Sequence, residues 1–259
     1  MEAAGLTGIN GLLIDINGVL YVANKPLSGA NRAISAIQRS GLPYRFATNN
    51  TAKSIKSLSQ DLGAMGLLID PHDIISAPYA AVLYLRQLGR PKIYPLLSAD
   101  AKGDFAEFTF SDTAADVVIL GDMEDEWDYR SLNRAFRLIM QGAELLALHK
   151  GKFWQWEAGL QLDIGAFVTG LEYATDQTAT VVGKPSPFFF EIVLKELGLP
   201  PEQVAMIGDD IEADVGGAQQ AGMKGVLVKT GKYRPALAEA TGITPDLLVE
   251  TVEAIAQWF

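Results

Sequence analysis

Short unbroken apolar runs alternate along this chain with longer stretches whose apolar positions recur at helical spacing. The unbroken runs fit strands buried on both faces, and the periodic stretches fit helices with one apolar face. Residues 11–16 (GLLIDI) are the first such run, a buried strand whose C-terminal end carries the carboxylate of Asp15. Pro26 and Ser28 then open a helix with apolar positions Ala33, Ile34 and Ile37, and Gly41 ends it. Residues 43–48 (PYRFAT) read as a second strand, and Ser54 starts a helix that runs to about Gly66. This alternation predicts a parallel sheet with helices on its faces.

The middle of the chain repeats the alternation, with strands expected over 92–97, 116–120 and 144–148 and helices over 78–88 and 129–141. A helix at 187–197, a strand at 203–207, a helix at 212–221, a strand at 225–229 and a closing helix over 249–258 follow. No repeat of fixed period and no low-complexity stretch interrupts the pattern. The fold class expected is α/β: a doubly wound parallel-sheet, Rossmann-like core built from residues 1–76 and 179–259, with an inserted α/β cap over 77–178.

Composition narrows the chemistry. At 259 residues the chain is long enough for a core with an insertion, and 20% charged residues against 49% hydrophobic ones speak for a globular protein rather than a disordered one. A formal net charge of −10 disfavours nucleic acid and anionic membrane as partners. It also means that an anionic substrate needs local help from a metal ion or a well-placed lysine. The absence of cysteine excludes disulfides, thiolate zinc sites and thiol nucleophiles. With only His72 and His149, a multi-histidine metal centre is excluded as well. The first residues do not join a basic region to an apolar stretch, and no apolar run approaches the roughly 20 residues that span a bilayer, so a cytoplasmic location is expected.

Three polar clusters each follow a predicted strand or sit in a loop: Asp15-Ile16-Asn17-Gly18-Val19, Thr48-Asn49-Asn50, and Gly183-Lys184-Pro185 together with Gly208-Asp209-Asp210 and Asp214. In a doubly wound sheet the C-terminal strand ends converge on one crevice. That brings Asp15, Thr48 and Asp209 together, with Lys184 entering from a loop. A carboxylate in such a place can attack phosphorus to form an aspartyl-phosphate, provided that a divalent cation neutralises the repulsion between two anions. Asp15 and Asp209 supply the hard oxygen ligands that Mg²⁺ prefers. The Thr48 hydroxyl, the Asn49 backbone N–H, the N–H groups after Asp15 and the Lys184 ammonium are donors for the phosphoryl oxygens. Gly18 and Gly208 allow the backbone to approach the metal or phosphate closely.

Asp15-x-Asn17-Gly18-Val19, Thr48-Asn49, Gly183-Lys184-Pro185 and Gly208-Asp209-Asp210-x-x-x-Asp214 resemble, in order, the four motifs of the haloacid dehalogenase superfamily. The resemblance covers nearly the whole chain and is strongest from about 170 to 235, where Leu171–Thr175 and Lys229–Arg234 extend it. The insert is similar to the larger α/β cap of the superfamily's nucleotidase-like branch. The resemblance implies a Mg²⁺-dependent phosphatase acting on a small phosphorylated substrate, with a homodimer through the cap. Asp15 would be nucleophile and metal ligand, and Asn17 would offer its backbone carbonyl to the metal. Thr48 and Lys184 would hold the phosphoryl group and Asp209 the metal, with Asp210 or Asp214 orienting Lys184 or a water at the metal.

The chain departs from the superfamily's pattern at Asn17, where most of its phosphatases carry a second aspartate that protonates the leaving group and then activates water. Asparagine has no proton to exchange near neutral pH, and losing a general acid–base costs about 10²–10⁴ in rate. Three readings stand side by side: an enzyme that needs little acid help, an introduced change that stalls catalysis, and a protein that binds phosphorylated ligands without turnover. The first favours leaving groups that are self-protonating or of low pKa, such as those of phosphoramidates, acyl phosphates and pyrophosphate.

Other features read more plainly. His149-Lys150 is expected as a surface pair, with a substrate-facing position as the alternative. Phe153, Trp154 and Trp156 suit core or subunit interface, Phe188-Phe189-Phe190 helix packing, and Glu124-Asp125-Glu126 with Asp128 a solvated run. No G-x-G-x-x-G follows the first strand, Gly183-Lys184 continues into Pro185 rather than Ser or Thr, and no G-x-S-x-G occurs. Dinucleotide, P-loop and serine-hydrolase readings therefore fail.

Overall fold

The computed structural model describes residues 6–156 and 159–258. In chain order the strands and helices are β1 (Gly11–Asp15), β2 (Tyr21–Val22), β3 (Lys25–Pro26), α1 (Ala30–Arg39), β4 (Tyr44–Thr48), α2 (Ile55–Ala64), β5 (Ile74–Ser76), α3 (Ala77–Gln87), β6 (Ile93–Leu96), β7 (Val117–Leu120) and α4 (Tyr129–Met140). They continue with β8 (Glu144–Ala147), β9 (Phe153–Trp156), β10 (Gly159–Leu162), α5 (Gly165–Thr175), β11 (Thr180–Val181), α6 (Pro187–Leu197), β12 (Val204–Gly208), α7 (Gly217–Gln220), β13 (Lys224–Val228), α8 (Pro235–Ala240) and β14 (Leu247–Val249).

One sheet has the order β14-β13-β12-β1-β4-β5, with every pairing parallel. β1 is buried along its whole length because neighbours flank it and helices cover both faces, which is why its sequence is an unbroken apolar run. Ala30, Ala33, Ile34 and Ile37 of α1 recur on one face and pack on one side of the sheet. Phe189, Phe190 and Val193 of α6 pack on the other side with Leu13 and Met206. The helices start where local chemistry directs: Ser54 and Ser76 each accept a backbone N–H bond at the first turns of α2 and α3, and Asp128 does so for α4. No helix among the described residues is long and apolar enough to cross a membrane.

A second parallel sheet has the order β11-β8-β7-β6. Beyond β11 the ladder continues, with the Val182 N–H on the Ala147 carbonyl and the Gly183 N–H on the Leu148 carbonyl. Thr180–Gly183 thus runs along the edge of the second sheet, a little past the expected seam at 178/179. The two sheets share one apolar cluster, which runs from Leu13 and Met206 through α3 to Ile119, Leu146 and Leu148.

Two expected helices take other forms. Instead of a closing helix over 249–258, β14 adds an edge strand, and a short 3₁₀ stretch, Val252–Gln257, begins where the Thr251 side chain accepts the Glu253 N–H. The expected helix at 212–221 starts as one wide π turn, Ile211–Gly216, before α7. The hairpins β2–β3 and β9–β10, the short strands β5, β11 and β14, and helices α5 and α8 add to the predicted elements.

Candidate active site

Strand order reverses between β1 and β12: the chain leaves β1 towards β4 and β5 on one side, and β12 towards β13 and β14 on the other. This is the topological switch point, where the C-terminal ends of a parallel sheet open a crevice. Asp15 ends β1 there, and Asp209 follows the last residue of β12. The register sets Asp15 beside Ala47, so that Thr48 ends the next strand alongside. Asp15, Thr48, Lys184, Asp209 and Asp214 are all buried and line one cleft of about 1770 Å³ between the two sheets.

Lys184 is 3% exposed, and its Nζ lies 2.5 Å from Asp15 Oδ1 and 2.6 Å from Asp214 Oδ1. Burial favours loss of its proton, but the two carboxylates outweigh burial and hold its pKa above the usual lysine range. Asp15, Asp209 and Asp214 each bring a carboxylate oxygen within 4.8 Å of the others. Burial, with Asp15 and Asp214 close by, pushes Asp209 well above the ordinary carboxylate range. Burial likewise lifts Asp214 to about 7, against the pull of Lys184. Both Asp214 oxygens are committed, one to Lys184 and the other to the Asp210 N–H at 3.1 Å. Asp15 Oδ2 and Asp209 Oδ1 carry no hydrogen bond among the described residues. Crowded anionic oxygens with free lone pairs fit a hard divalent cation, which would relieve the repulsion among them.

Asp209 is held by a loop to which the sequence reading gave no role. Its Oδ2 accepts the Lys232 backbone N–H at 2.6 Å. A Cβ on Gly18 or Gly231 would fall 1.9 or 2.0 Å from the same oxygen, so both positions exclude any side chain. The Thr230 hydroxyl donates to the Gly18 carbonyl at 2.5 Å and ties the two glycine turns together. Gly208 allows a similar approach by Asp214, whose side chain would lie 2.2 Å from a Cβ there. The glycine in Lys229-Thr230-Gly231-Lys232 was the available signal.

Asp210 has a separate task. Its Oδ1 accepts the Glu212 and Ala213 N–H groups and so caps the turn that carries Asp214, while its Oδ2 lies 3.3 Å from Lys232 Nζ. Of the two aspartates expected to orient Lys184, the structure puts Asp214 on it.

Asn49 acts as a clasp: its amide donates to the Lys184 carbonyl at 2.8 Å and accepts the Lys184 N–H at 3.0 Å. Its side chain therefore positions Lys184. Thr48 Oγ1 accepts the Asn50 N–H at 3.0 Å and shapes the loop. Asn17 lines the cleft, and its side chain makes no hydrogen bond among the described residues. Tyr21, on β2, is a further lining residue that sequence reasoning missed; burial and the nearby Asp15 push its hydroxyl up to about 12.

The second sheet supplies the opposite wall. His149 is not a surface residue: it is 4% exposed and lines the cleft, because the bond from Gly183 to Leu148 sets it next to the Lys184 segment. Lys150 is exposed, lines the same cleft and pairs with Glu172 at 2.5 Å. Glu124, Asp125 and Glu126 form an exposed turn at the rim, and Asp128 caps α4. Phe153 and Trp154 also line the cleft, whereas Phe189 and Phe190 are packed in the core. The side chain of Trp156 lies outside the described residues.

The family described as haloacid dehalogenase-like hydrolase matches residues 12–111, and one described as HAD-hydrolase-like matches 181–255. The bovine (Bos taurus) haloacid dehalogenase-like hydrolase domain-containing protein 2 is 41% identical over 217 residues, 83% of this chain and 82% of that protein. The Xenopus laevis phospholysine phosphohistidine inorganic pyrophosphate phosphatase is 38% identical over 213 residues, 81% of this chain and 77% of that protein. In fold, a 4-nitrophenylphosphatase from Thermotoga maritima superposes with a TM-score of 0.91 at 24% identity, covering 98% of this chain and 99% of that one. The chain belongs to the haloacid dehalogenase-like hydrolases and is a phosphohydrolase of that family.

Proposed function

We propose that the protein is a Mg²⁺-dependent phosphatase that transfers the phosphoryl group of a small substrate to Asp15 and then to water. The observation that supports this best is the buried set at the switch point, with Lys184 bridging Asp15 and Asp214 and Asp209 alongside. Asp15 attacks phosphorus, the bond to the leaving group breaks with its electron pair going to the leaving group, and water later cleaves the aspartyl-phosphate. Lys184, Thr48 and the Asn49 N–H surround the phosphoryl oxygens, whereas the Gly18 N–H, expected there as well, is bonded to the Tyr21 carbonyl at 2.8 Å. Asp214 keeps Lys184 charged and Asn49 keeps it in place. The ion, held by Asp15, Asp209 and the Asn17 backbone carbonyl, would neutralise repulsion between nucleophile and substrate.

Asn17 faces the cleft where a general acid is usual in the family, yet it cannot donate a proton to the leaving group. Phosphoramidates, acyl phosphates and pyrophosphate, whose leaving groups need little or no such help, are therefore the compounds favoured over alkyl phosphates. Phosphate release from one member of each class, with and without Mg²⁺, tests this in the native chain, Asp15→Asn and Asn17→Asp. Turnover that survives Asp15→Asn refutes the nucleophile, and rates insensitive to leaving-group pKa refute the selectivity. Asn17 also motivates a second reading, a phosphoryl-binding protein without turnover. That reading predicts silence in the native chain together with tight binding of a phosphate analogue such as vanadate or beryllofluoride.

A further inference from the structure

The cleft wall opposite Asp15 carries two buried polar residues that the phosphoryl chemistry leaves unused. His149 is 4% exposed and Asp163 is 9% exposed, and both line the same cleft as Asp15 and Lys184. His149 follows Leu148, whose carbonyl accepts the Gly183 N–H at 2.8 Å, and so stands beside the segment that carries Lys184. Asp163 approaches the other flank, where its charge acts on Lys232, the residue whose backbone N–H holds Asp209.

Close backbone approach places this pair. A Cβ on Gly151 would lie 2.2 Å from Asp163 Oδ2, and one on Gly165 would lie 2.4 Å from the Gly151 carbonyl oxygen. The two glycines let the loop after His149 pack against the start of α5, with the Gly165 N–H on the Gly151 carbonyl at 3.0 Å.

The hydrogen bonding defines what the pair offers. His149 Nδ1 accepts the Gly151 N–H at 3.1 Å, so the neutral ring carries its proton on Nε2. Burial keeps the ring neutral by holding its pKa below the usual range, with Asp163 opposing. Nε2 lies 3.7 Å from Asp163 Oδ1, too far for a hydrogen bond, and Oδ1 already accepts the Ile164 N–H at 2.8 Å. Among the described residues nothing donates to Asp163 Oδ2. A donor N–H and an acceptor carboxylate thus stand side by side in the cleft with unused capacity.

Resting on the phosphatase reading above, we propose that His149 and Asp163 form the leaving-group subsite and select compounds whose leaving group brings an N–H or O–H donor to Asp163. A leaving group bearing both a donor and a lone pair satisfies both residues. One that brings a second anion meets a buried carboxylate instead, and like charges in a desolvated site repel strongly. Within the classes that suit Asn17, the subsite therefore favours a phosphoramidate over pyrophosphate.

The test compares kcat/KM for phosphoramidate, pyrophosphate and 4-nitrophenyl phosphate, whose leaving group has no donor and no charge before cleavage, in full-length protein with Mg²⁺. Asp163→Asn is nearly isosteric; it removes the charge and turns the free acceptor oxygen into an N–H donor. It is expected to lower the phosphoramidate value about tenfold and raise the pyrophosphate value about tenfold, with 4-nitrophenyl phosphate changing by less than about threefold. A gain on pyrophosphate is not an outcome that misfolding can imitate. His149→Gln, which keeps an N–H near the Nε2 position, should retain the phosphoramidate preference, and His149→Ala should lose it. A proportional fall on all three substrates in Asp163→Asn would overturn the subsite while leaving the phosphatase intact. Silence of the native protein on all three would overturn the phosphatase reading and the subsite with it.

Discussion

Replacing Lys184 by methionine gives the sharpest test of the electrostatics at the switch point. The side chain is 3% exposed, and its Nζ contacts Asp15 at 2.5 Å and Asp214 at 2.6 Å. Methionine fills similar space without charge and leaves three buried carboxylates within 4.8 Å of one another with no cation between them. Removing one partner from a buried ion pair costs about 3–5 kcal/mol. For a chain of this size each kcal/mol moves Tm by roughly 2–4 °C, which gives a fall of about 6–20 °C in EDTA at pH 8.

The pH dependence follows from the sign of the shifts. Asp209 and Asp214 have pKa values raised in the folded state, Asp214 to about 7. Between the unfolded carboxylate range and that value the folded state binds more protons than the unfolded one, so this stability is present at low pH and lost as pH rises through about 7. The deficit of Lys184→Met should therefore shrink at pH 5, where the carboxylates take up protons. Thermal unfolding followed by circular dichroism at pH 5 and pH 8, with EDTA or Mg²⁺, measures all of this. Mg²⁺ should raise Tm more at pH 8 than at pH 5. A deficit below about 1 kcal/mol in EDTA at pH 8, or one equal at both pH values, would refute the reasoning.

Three further outcomes are expected. Asn17→Asp should raise turnover of an alkyl phosphate by about 10² at pH 6–7 while changing acyl phosphate turnover much less, measured as phosphate release. Gly231→Ala places a methyl group 2.0 Å from Asp209 Oδ2 and 2.5 Å from Gly18 Cα, so Mg²⁺ affinity in a calorimetric titration should fall about 10–100-fold with the far-ultraviolet spectrum unchanged. Asp128→Ala removes the acceptor for the Arg130 and Ser131 N–H groups at the start of α4 and should cost about 1 kcal/mol in urea unfolding, with no change in kcat/KM.

The parts of the site that could be read from the sequence stand where a buried strand ends. An unbroken apolar run that stops at Asp15, and another that stops before Asp209, place their carboxylates at strand ends without further information. Thr48 follows by the same logic. Lys184 stands on a turn, as expected; what the sequence did not show is that this turn follows directly on the segment that runs from β11 along the edge of the second sheet. Two-residue strands such as β11 and β2 carry too little pattern to announce themselves. Helix α5 escaped for another reason. Its sequence, GAFVTGLEYAT, holds two glycines and two threonines, poor helix formers, and Val168 and Leu171 anchor it in the apolar cluster of the second sheet. His149 read as a surface residue because polarity next to a lysine usually means solvent. Its burial depends on the β8–β11 register and on Gly151 meeting Gly165, which are contacts between distant parts of the chain.

Those same long-range contacts explain why the second sheet belongs to the site rather than merely covering it. The loop that begins at Thr48 is fastened to the strand ends of that sheet. The Thr51 hydroxyl oxygen accepts the Asp122 N–H at 2.9 Å, just past β7, and Ser98, just past β6, donates to the Ala52 carbonyl at 2.5 Å. Asp100 accepts the Ser54 N–H at 2.8 Å, and Asp104 accepts the Ile55 N–H at 3.2 Å. The C-terminal edges of β6, β7, β8 and β11 thus all turn towards the C-terminal edges of β1, β4 and β12, and each contributes to the Thr48 loop, the His149 wall or the Lys184 segment. An outward swing of the second sheet as a rigid unit would have to break these bonds or carry the Thr48 loop and Lys184 away from Asp15. On the proposed reading, binding and chemistry are coupled through that seam, because the residues assigned to the phosphoryl group and those assigned to the leaving group share its hydrogen bonds.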